Sequence, residues 1–358
     1  MLNVDDASDE TPEVAWPLAS QASIGTVEDG ILVSEPGQTI RPTASTAKLI
    51  TVLTVLKDEP LALGEKGPTL TMDASDIALY DQYFAAGGSL VAVSLGEKLT
   101  QYQMIQGILI RSGNNLADSL AIWAFGSLSE YQKAAQTLVN ELGMTSTTVG
   151  TDASGLSDTT TSTAEDLTRL GIAAMKHDVV REIVGQSTSN LPVDGIKPNT
   201  NWLLGQDGVV GIKTGNIPAV GGVFIIAKQH KVEGQEPITL VSAVQGEPTT
   251  AAAIAVSNQL TESIKNMFVS ETLVKKGTIV AKAASDWGES TDIVTRNDLQ
   301  GFGWKYRKLE PKISLLSPDK IEENDVIGSI TIGNKTTELI AKNTINEPSW
   351  QWRLLTSR

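Results

Sequence analysis

Cysteine is absent from this chain of 358 residues, and histidine occurs only twice, at His177 and His230. The lack of cysteine excludes disulfides, a thiol nucleophile and cysteine-ligated zinc. Both histidines stand among polar residues at predicted element ends, which predicts solvated side chains rather than the base of a serine–histidine–aspartate triad. We therefore expect no metal site and no cofactor, and acid–base chemistry must come from other side chains.

Long apolar runs and clustered positive charge are missing as well. No run of eighteen apolar residues occurs, so no segment is predicted to span a membrane. The net charge of −14 argues against a nucleic-acid partner, because phosphate binding needs clustered lysine and arginine. The acidic start, which includes Asp5, Asp6, Asp9 and Glu10, does not resemble a signal peptide. We expect residues 1–18 to be a disordered leader.

Three short polar motifs stand out against this background. In chain order they are Ser45-Thr46-Ala47-Lys48, Ser112-Gly113-Asn114 and Lys213-Thr214-Gly215. Together they supply a nucleophilic hydroxyl, a lysine three residues away that can accept its proton, a second hydroxyl, an amide and a further ammonium. This set suits acyl transfer without histidine or metal.

Sequence context separates the first motif from a chance match. Ser317-Pro318-Asp319-Lys320 has the same serine–lysine spacing, but it lies in a polar stretch and predicts an exposed turn. Ser45, by contrast, begins a predicted helix over Ser45–Leu56 that is apolar nearly all round and therefore buried. One helical turn brings Lys48 beside Ser45. Burial and a second cation, Lys213, would favour the neutral amine that a general base requires.

The remaining pattern predicts one antiparallel sheet covered by helices, followed by a small β domain. Strands are expected at Ile24–Val27, Gly30–Val33, Val209–Lys213, Gly222–Lys228 and Ile238–Val244. Helices are expected at Thr100–Ile110, Asn114–Phe125, Ser129–Leu142 and Thr249–Phe268, and after a capping box at Ser162-Thr163-Ala164-Glu165. Residues 57–100 are predicted to be rich in loops. We expect a catalytic domain over 19–268 and a C-terminal β-sandwich over 269–358.

The order and surroundings of the motifs resemble the serine D-alanyl-D-alanine carboxypeptidases, the low-molecular-mass penicillin-binding proteins. The resemblance rests on Arg41–Thr51, on Asn199–Leu204 with Gly211–Gly215, and on Asp325–Ile330. It implies an α/β (α+β) penicillin-binding/β-lactamase-like transpeptidase fold, with an antiparallel sheet, a helical cluster and a small all-β C-terminal domain.

The resemblance also implies a role for each motif residue. Ser45 would attack the penultimate D-Ala carbonyl of a peptidoglycan stem pentapeptide and form an acyl-enzyme, and Lys48 would accept its proton. Ser112 would pass a proton to the departing D-Ala, with help from Lys213, and Asn114 would hold the substrate amide. Two further sets are implied: backbone N–H groups of Ser45 and Asn216 as the oxyanion hole, and a substrate-binding group of Lys213, Thr214, Gly215 and Asn216. β-Lactams would acylate the same serine.

Two departures from the family pattern are present, and three rival functions fit the same motifs. Asn216 stands where many relatives have histidine, and Asn115-Leu116 replaces a common Asp-Ala after the second motif. A β-lactamase would need a glutamate that activates water, for which Glu165 is the best candidate. A non-catalytic penicillin-binding sensor or scaffold of the cell wall is the second rival, and an endopeptidase that acts on cross-links is the third.

A peptidoglycan substrate implies an extracytoplasmic location, in the periplasm or on the outer face of the cytoplasmic membrane. Relatives often end in an amphipathic helix that associates with the membrane surface. The end of this chain, Ser349–Leu355, could begin such an anchor, but we favour a final β-strand there.

Overall fold

The computed structural model describes residues 12–352. Residues 1–11 of the predicted leader and residues 353–358 lie outside the described part, and residues 12–18 contain no helix or strand. The chain divides into two compact units, one formed by Val14–Lys265 and the other chiefly by the residues from Asn266 onward.

The first unit contains both strands and helices. Its strands are β1 (Gln21–Thr26), β2 (Gly30–Ser34), β3 (Arg41–Pro42), β4 (Thr69–Thr71), β5 (Lys98–Thr100), β6 (Thr161–Ser162), β7 (Thr188–Leu191), β8 (Gly195–Pro198), β9 (Val209–Ile217), β10 (Gly221–His230) and β11 (Ile238–Glu247). Its helices are α1 (Ala47–Asp58), α2 (Ala74–Ala85), α3 (Gln101–Leu109), α4 (Asn114–Phe125), α5 (Leu128–Glu141), α6 (Ala164–Lys176), α7 (Asp178–Val184) and α8 (Thr250–Ser263).

A five-stranded antiparallel sheet organises this unit, in the order β2-β1-β11-β10-β9. The predicted single sheet, made from the first two strands and the late group, is therefore confirmed. Alternating residues of β10 enter different cores: Ile225 and Ala227 pack with the helical cluster, whereas Phe224 and Ile226 pack with Ile254 of α8. Both faces are thus covered, and β9 is left as an edge strand.

Helix starts follow local capping chemistry. The side chains of four cap residues accept backbone N–H groups of the first turn, as expected for Ser and Thr at this position, and these residues are Thr100, Ser127, Thr163 and Thr249. Helix α1 has every residue from Ala47 to Leu56 buried, which confirms the predicted buried helix.

Two local predictions are wrong, and one helix is additional. Residues 57–100 contain more irregular backbone than helix or strand, as predicted, but they include α2, which a reciprocal Asp73–Asp76 capping box starts. Only Tyr83 of this helix is buried, so its apolar period is weak. The cap of α6 is Thr163 rather than Ser162, because the Ser162 hydroxyl lies against Thr147. The long helix predicted after Thr249 ends at Ser263, and a strand begins at Phe268.

The second unit is built mainly from β-strands, as predicted. Its strands are β12 (Phe268–Val274), β13 (Ile279–Ala284), β14 (Ser290–Thr295), β15 (Leu299–Trp304), β16 (Pro311–Leu315), β17 (Val326–Ile332) and β18 (Lys335–Ala341). One sheet has the order β13-β14-β18-β17-β16, and β12 pairs with β15 in another. Val274 and Leu299 of the smaller sheet share a buried cluster with Ile330 and Leu339 of the larger one.

Two segments of this unit had specific predictions. Ser317–Lys320 is irregular and exposed, which confirms that the second serine–lysine match is a surface turn. The final β-strand favoured at 349–355 is wrong for Trp350–Trp352, which are helical. The Ser349 hydroxyl accepts the N–H of Trp352 at 3.4 Å and so caps this helical start; the rest of that segment lies outside the described residues.

Candidate active site

Ser45 lies in a short 3₁₀ turn, Ala44–Thr46, directly before α1. Ala44 has a positive φ of 48°, a conformation that is uncommon for a residue with a side chain. The turn places Ser45, which is partly exposed, at the start of a helix whose body is buried. A hydroxyl is therefore presented at a helix N-terminus, where backbone N–H groups lack helical partners.

Lys48 makes three contacts with its amine. Nζ lies 2.9 Å from Ser45 Oγ, 2.6 Å from Asn114 Oδ1 and 2.7 Å from the Ser154 carbonyl oxygen. The amide oxygen and the carbonyl can only accept hydrogen bonds, whereas the serine hydroxyl can donate one. A neutral amine has two N–H groups and one lone pair, so the neutral form of Lys48 satisfies all three contacts with its lone pair on Ser45.

The surroundings of Lys48 favour that neutral form. Its side chain is fully buried, and desolvation lowers its pKa well below 10.5. The nearby cation Lys213 lowers this pKa further, while Asp152 and Asp118 act in the opposite direction.

A second hydroxyl–lysine pair lies across from the first. Lys213 Nζ is 3.0 Å from Ser112 Oγ and 3.0 Å from the Thr214 carbonyl oxygen. Ser112 has a φ of 62°, in the turn between α3 and α4. Burial of Lys213 lowers its pKa to about 7, so its charge changes near neutral pH.

Strand β9 lies directly against the nucleophile. A Cβ placed on Gly215 would stand 3.0 Å from the backbone nitrogen of Ser45 and 3.1 Å from Cβ of Ala44. Such a contact is tighter than most Cβ contacts, so a side chain here would require the neighbouring backbone to shift by a few tenths of an ångström. Thr214 is buried and its hydroxyl contacts that of Thr200 at 2.9 Å, whereas the Asn216 side chain is exposed.

The structure thus brings together residues of all three motifs. Ser45, Lys48 and Asn114 form one hydrogen-bonded group, Ser112 and Lys213 form a second, and Gly215 lies against Ser45.

Asn115, which stands where many relatives have aspartate, makes contacts of its own. The Asn115 amide donates to the Val91 carbonyl and accepts the Val91 N–H, which connects the segment between α2 and β5 to α4.

Sequence reasoning missed the groups behind Lys48. The Ser154 carbonyl lies between α5 and α6, outside the three motifs, and Asp118 and Tyr83 form a buried pair at 2.6 Å nearby. One signal was available: Asp118 is a lone carboxyl four residues after Asn114, on a helix that is otherwise largely apolar.

Glu165 and the two histidines take other positions. Glu165 forms an ion pair with Arg169 at 2.6 Å and lines a cavity of about 420 Å³ beside residues 34–38, as part of the α6 first turn. The two histidines are half-buried, so the prediction of solvated side chains is wrong for them. His177 follows the last residue of α6, His230 is the last residue of β10, and burial lowers the pKa of each.

Comparison with known proteins places the chain in a family. Residues 21–245 match the family model described as D-alanyl-D-alanine carboxypeptidase. The chain is 24% identical over 262 residues to the D-alanyl-D-alanine carboxypeptidase DacC of Escherichia coli (strain K12), covering 68% of this chain and 62% of that protein. It is 30% identical over 241 residues to the D-alanyl-D-alanine endopeptidase of the same organism, covering 64% of this chain and 71% of that protein.

The fold has solved counterparts as well. Penicillin binding protein 5 from Haemophilus influenzae superposes with a TM-score of 0.66 at 18% identity, covering 94% of this chain and 99% of that one. The chain therefore has the fold of the penicillin-binding proteins and belongs to the D-alanyl-D-alanine carboxypeptidase family of peptidases.

Proposed function

We propose that this protein is a serine D,D-carboxypeptidase that removes the terminal D-Ala from peptidoglycan stem pentapeptides through an acyl-enzyme on Ser45. One observation carries the proposal: the buried Lys48 amine contacts Ser45 Oγ and two obligate acceptors, Asn114 Oδ1 and the Ser154 carbonyl. When Lys48 is neutral, these two acceptors take its N–H groups and its lone pair is directed at the nucleophile, which is what general-base activation needs.

Acylation begins when Ser45 Oγ attacks the carbonyl carbon of the penultimate D-Ala while its proton moves to Lys48. The peptide C–N bond then breaks, and the amine of the leaving D-Ala takes a proton through Ser112, which contacts Lys213. Asn114 holds the substrate amide. Lys213 and Thr214 bind the terminal carboxylate, and water later hydrolyses the ester on Ser45.

The backbone direction of β9 is consistent with the Asn216 N–H as the second donor of an oxyanion hole. The Thr214 carbonyl accepts from Lys213 Nζ, so it faces the site rather than β10. The peptide groups of an antiparallel strand alternate in direction with a period of two residues. The Asn216 N–H therefore faces the same side as the Thr214 carbonyl, along the open edge of the sheet, and pairs with the Ser45 N–H around the developing oxyanion.

β-Lactams would acylate Ser45 by the same route, because their strained amide presents a carbonyl and a carboxylate in place of the D-Ala-D-Ala terminus. Covalent labelling with a fluorescent penicillin, lost in Ser45→Ala, tests this step. Labelling that persists in Ser45→Ala would contradict the assignment of the nucleophile.

Release of free D-Ala from a pentapeptide that ends in D-Ala-D-Ala tests the activity itself. We expect release by the wild type and none by Ser45→Ala. Penicillin labelling without release would instead favour a sensor or scaffold, and fast turnover of a chromogenic cephalosporin would favour a β-lactamase.

Endopeptidase action is the second candidate, because the chain is 30% identical to a D-alanyl-D-alanine endopeptidase. The same acyl-enzyme forms when the leaving group is a cross-linking side-chain amine rather than free D-Ala. Digestion of purified cross-linked dimeric muropeptides, followed by chromatography of the products, separates the two specificities.

The substrate determines where we propose that the protein acts. Peptidoglycan lies outside the cytoplasmic membrane, which favours an extracytoplasmic location. Peripheral attachment of the protein to the membrane surface can be tested by cell fractionation. Among the helices of residues 12–352, none has both the length and the apolar character needed to cross a bilayer.

A further inference from the structure

Asp118 is a buried acid close behind the candidate base. It lies on α4 one turn after Asn114, so the two side chains share a helix face. Only 2% of its surface is exposed. A carboxyl at such a position has a large desolvation cost unless other groups donate hydrogen bonds to it.

Two groups make those hydrogen bonds. The Tyr83 hydroxyl of α2 donates to Asp118 Oδ2 at 2.6 Å, and the Ala153 N–H donates to Oδ1 at 2.9 Å. The carbonyl of Ala153 is hydrogen-bonded as well, because the Thr51 hydroxyl of α1 donates to it at 2.6 Å. The peptide that follows carries the Ser154 carbonyl, which accepts from Lys48.

Three titratable groups act on the charge of Lys48. The facing titratable groups are the cation Lys213 and the carboxyls Asp152 and Asp118. Asp118 in turn faces Tyr83, Asp152 and Lys48, and burial raises its pKa to about 6. At neutral pH it is therefore chiefly a carboxylate, and its charge stabilises the protonated amine of Lys48.

We propose that Asp118 is a positioning residue for Lys48: through Ala153 it holds the Ser154 carbonyl on the lysine amine, and it places a negative charge near that amine. Tyr83 supports this role by stabilising the carboxylate form of Asp118. The inference rests on the proposed function, in which Lys48 is the base that activates Ser45.

The test is the rate of Ser45 acylation by a fluorescent penicillin between pH 5 and pH 9 in Asp118→Asn. Loss of the negative charge lowers the pKa of Lys48, so we expect the acid limb of the profile to move to lower pH by on the order of one unit. Tyr83→Phe should move the acid limb in the same direction by a smaller amount. Without the Tyr83 hydroxyl, Asp118 stays protonated to a higher pH, so it carries less negative charge near Lys48.

Asp166→Asn is the matched control. Asp166 is also a buried helix carboxyl that accepts one backbone N–H, from Ser146, and one hydroxyl, from Thr147. Its loss should alter the melting temperature but leave the acid limb in place.

The outcomes separate the two proposals. A wild type that is not labelled at any pH overturns the proposed function. A labelled wild type whose acid limb is unchanged in both Asp118→Asn and Tyr83→Phe overturns the role of Asp118 alone; if Asp118→Asn does not fold, Tyr83→Phe decides the matter by itself.

Discussion

The amine of Lys48 lies 2.9 Å from the hydroxyl oxygen of Ser45, while its other two partners can only accept hydrogen bonds. A lysine held in this way has its lone pair on the serine only when it is neutral. The arrangement makes the charge of one buried amine the condition for nucleophile activation, and the predictions below follow from it and from the approach of β9 to Ser45.

Replacement of Lys48 by arginine should greatly slow acylation. A guanidinium stays protonated at all working pH values and cannot accept the serine proton. We expect penicillin acylation to slow by on the order of 10²- to 10⁴-fold, measured by stopped-flow labelling. Lys228→Arg is the control, since Lys228 is equally buried but contacts Asn258 and Glu262 on α8. A similar loss in both variants would indicate a general packing defect.

Lys213 should make stability rise with pH. Its pKa is about 7 in the folded protein and close to the ordinary 10.5 when unfolded, so the unfolded state binds more protons between these values. The destabilisation is complete below about pH 7 and is relieved as pH rises toward 10.5.

Urea denaturation at pH 7.5 and 9.5 measures this effect. The Lys213→Met variant should show a shallower rise of unfolding free energy with pH, by up to about 1.4 kcal/mol per pH unit. Ser112→Ala keeps the amine and should retain the wild-type slope. Parallel slopes for wild type and Lys213→Met would refute the prediction.

An alanine at Gly215 should separate β9 from the nucleophile. The added Cβ would stand 3.0 Å from the Ser45 nitrogen, which is closer than ordinary contact. We expect acylation to fall by on the order of tenfold to a hundredfold. At Gly185 an added Cβ would meet nothing nearer than 3.3 Å, so Gly185→Ala is the control and should label normally.

Asn216 offers a test of backbone against side chain. Its side chain is exposed, and its proposed role uses only the N–H on the open edge of β9. Asn216→Ala should therefore label at nearly the wild-type rate, whereas Asn216→Pro removes the donor and should slow acylation by about 10²- to 10³-fold. Proline is tolerated at edge-strand positions whose N–H lies outside the ladder, so circular dichroism should show a folded variant. Equal acylation rates in the two variants would contradict the proposed role of the Asn216 N–H in the oxyanion hole.

Much of the fold could be predicted because the local signals are strong. Helix α4 begins and ends where its apolar pattern does, and capping residues mark α3 and α5. Helix α2 was missed because it buries only Tyr83 and so lacks an apolar face. Strand β15 has only a weak strand pattern in the sequence, because glycines stand at 301 and 303.

The sequence by itself determined which chemical groups are available and which of them are near neighbours along the chain. Ser45 and Lys48 meet because a helical turn brings residues three apart together. The tertiary structure decided the rest: the Ser154 carbonyl lies 106 residues from Lys48, and Ser112 lies 101 residues from Lys213. Contacts at such separations depend on how the sheet and helices pack, and the same packing removes water from both lysines. For that reason the charge of Lys48, on which activation of Ser45 depends, is a property of the folded protein and not of the motif.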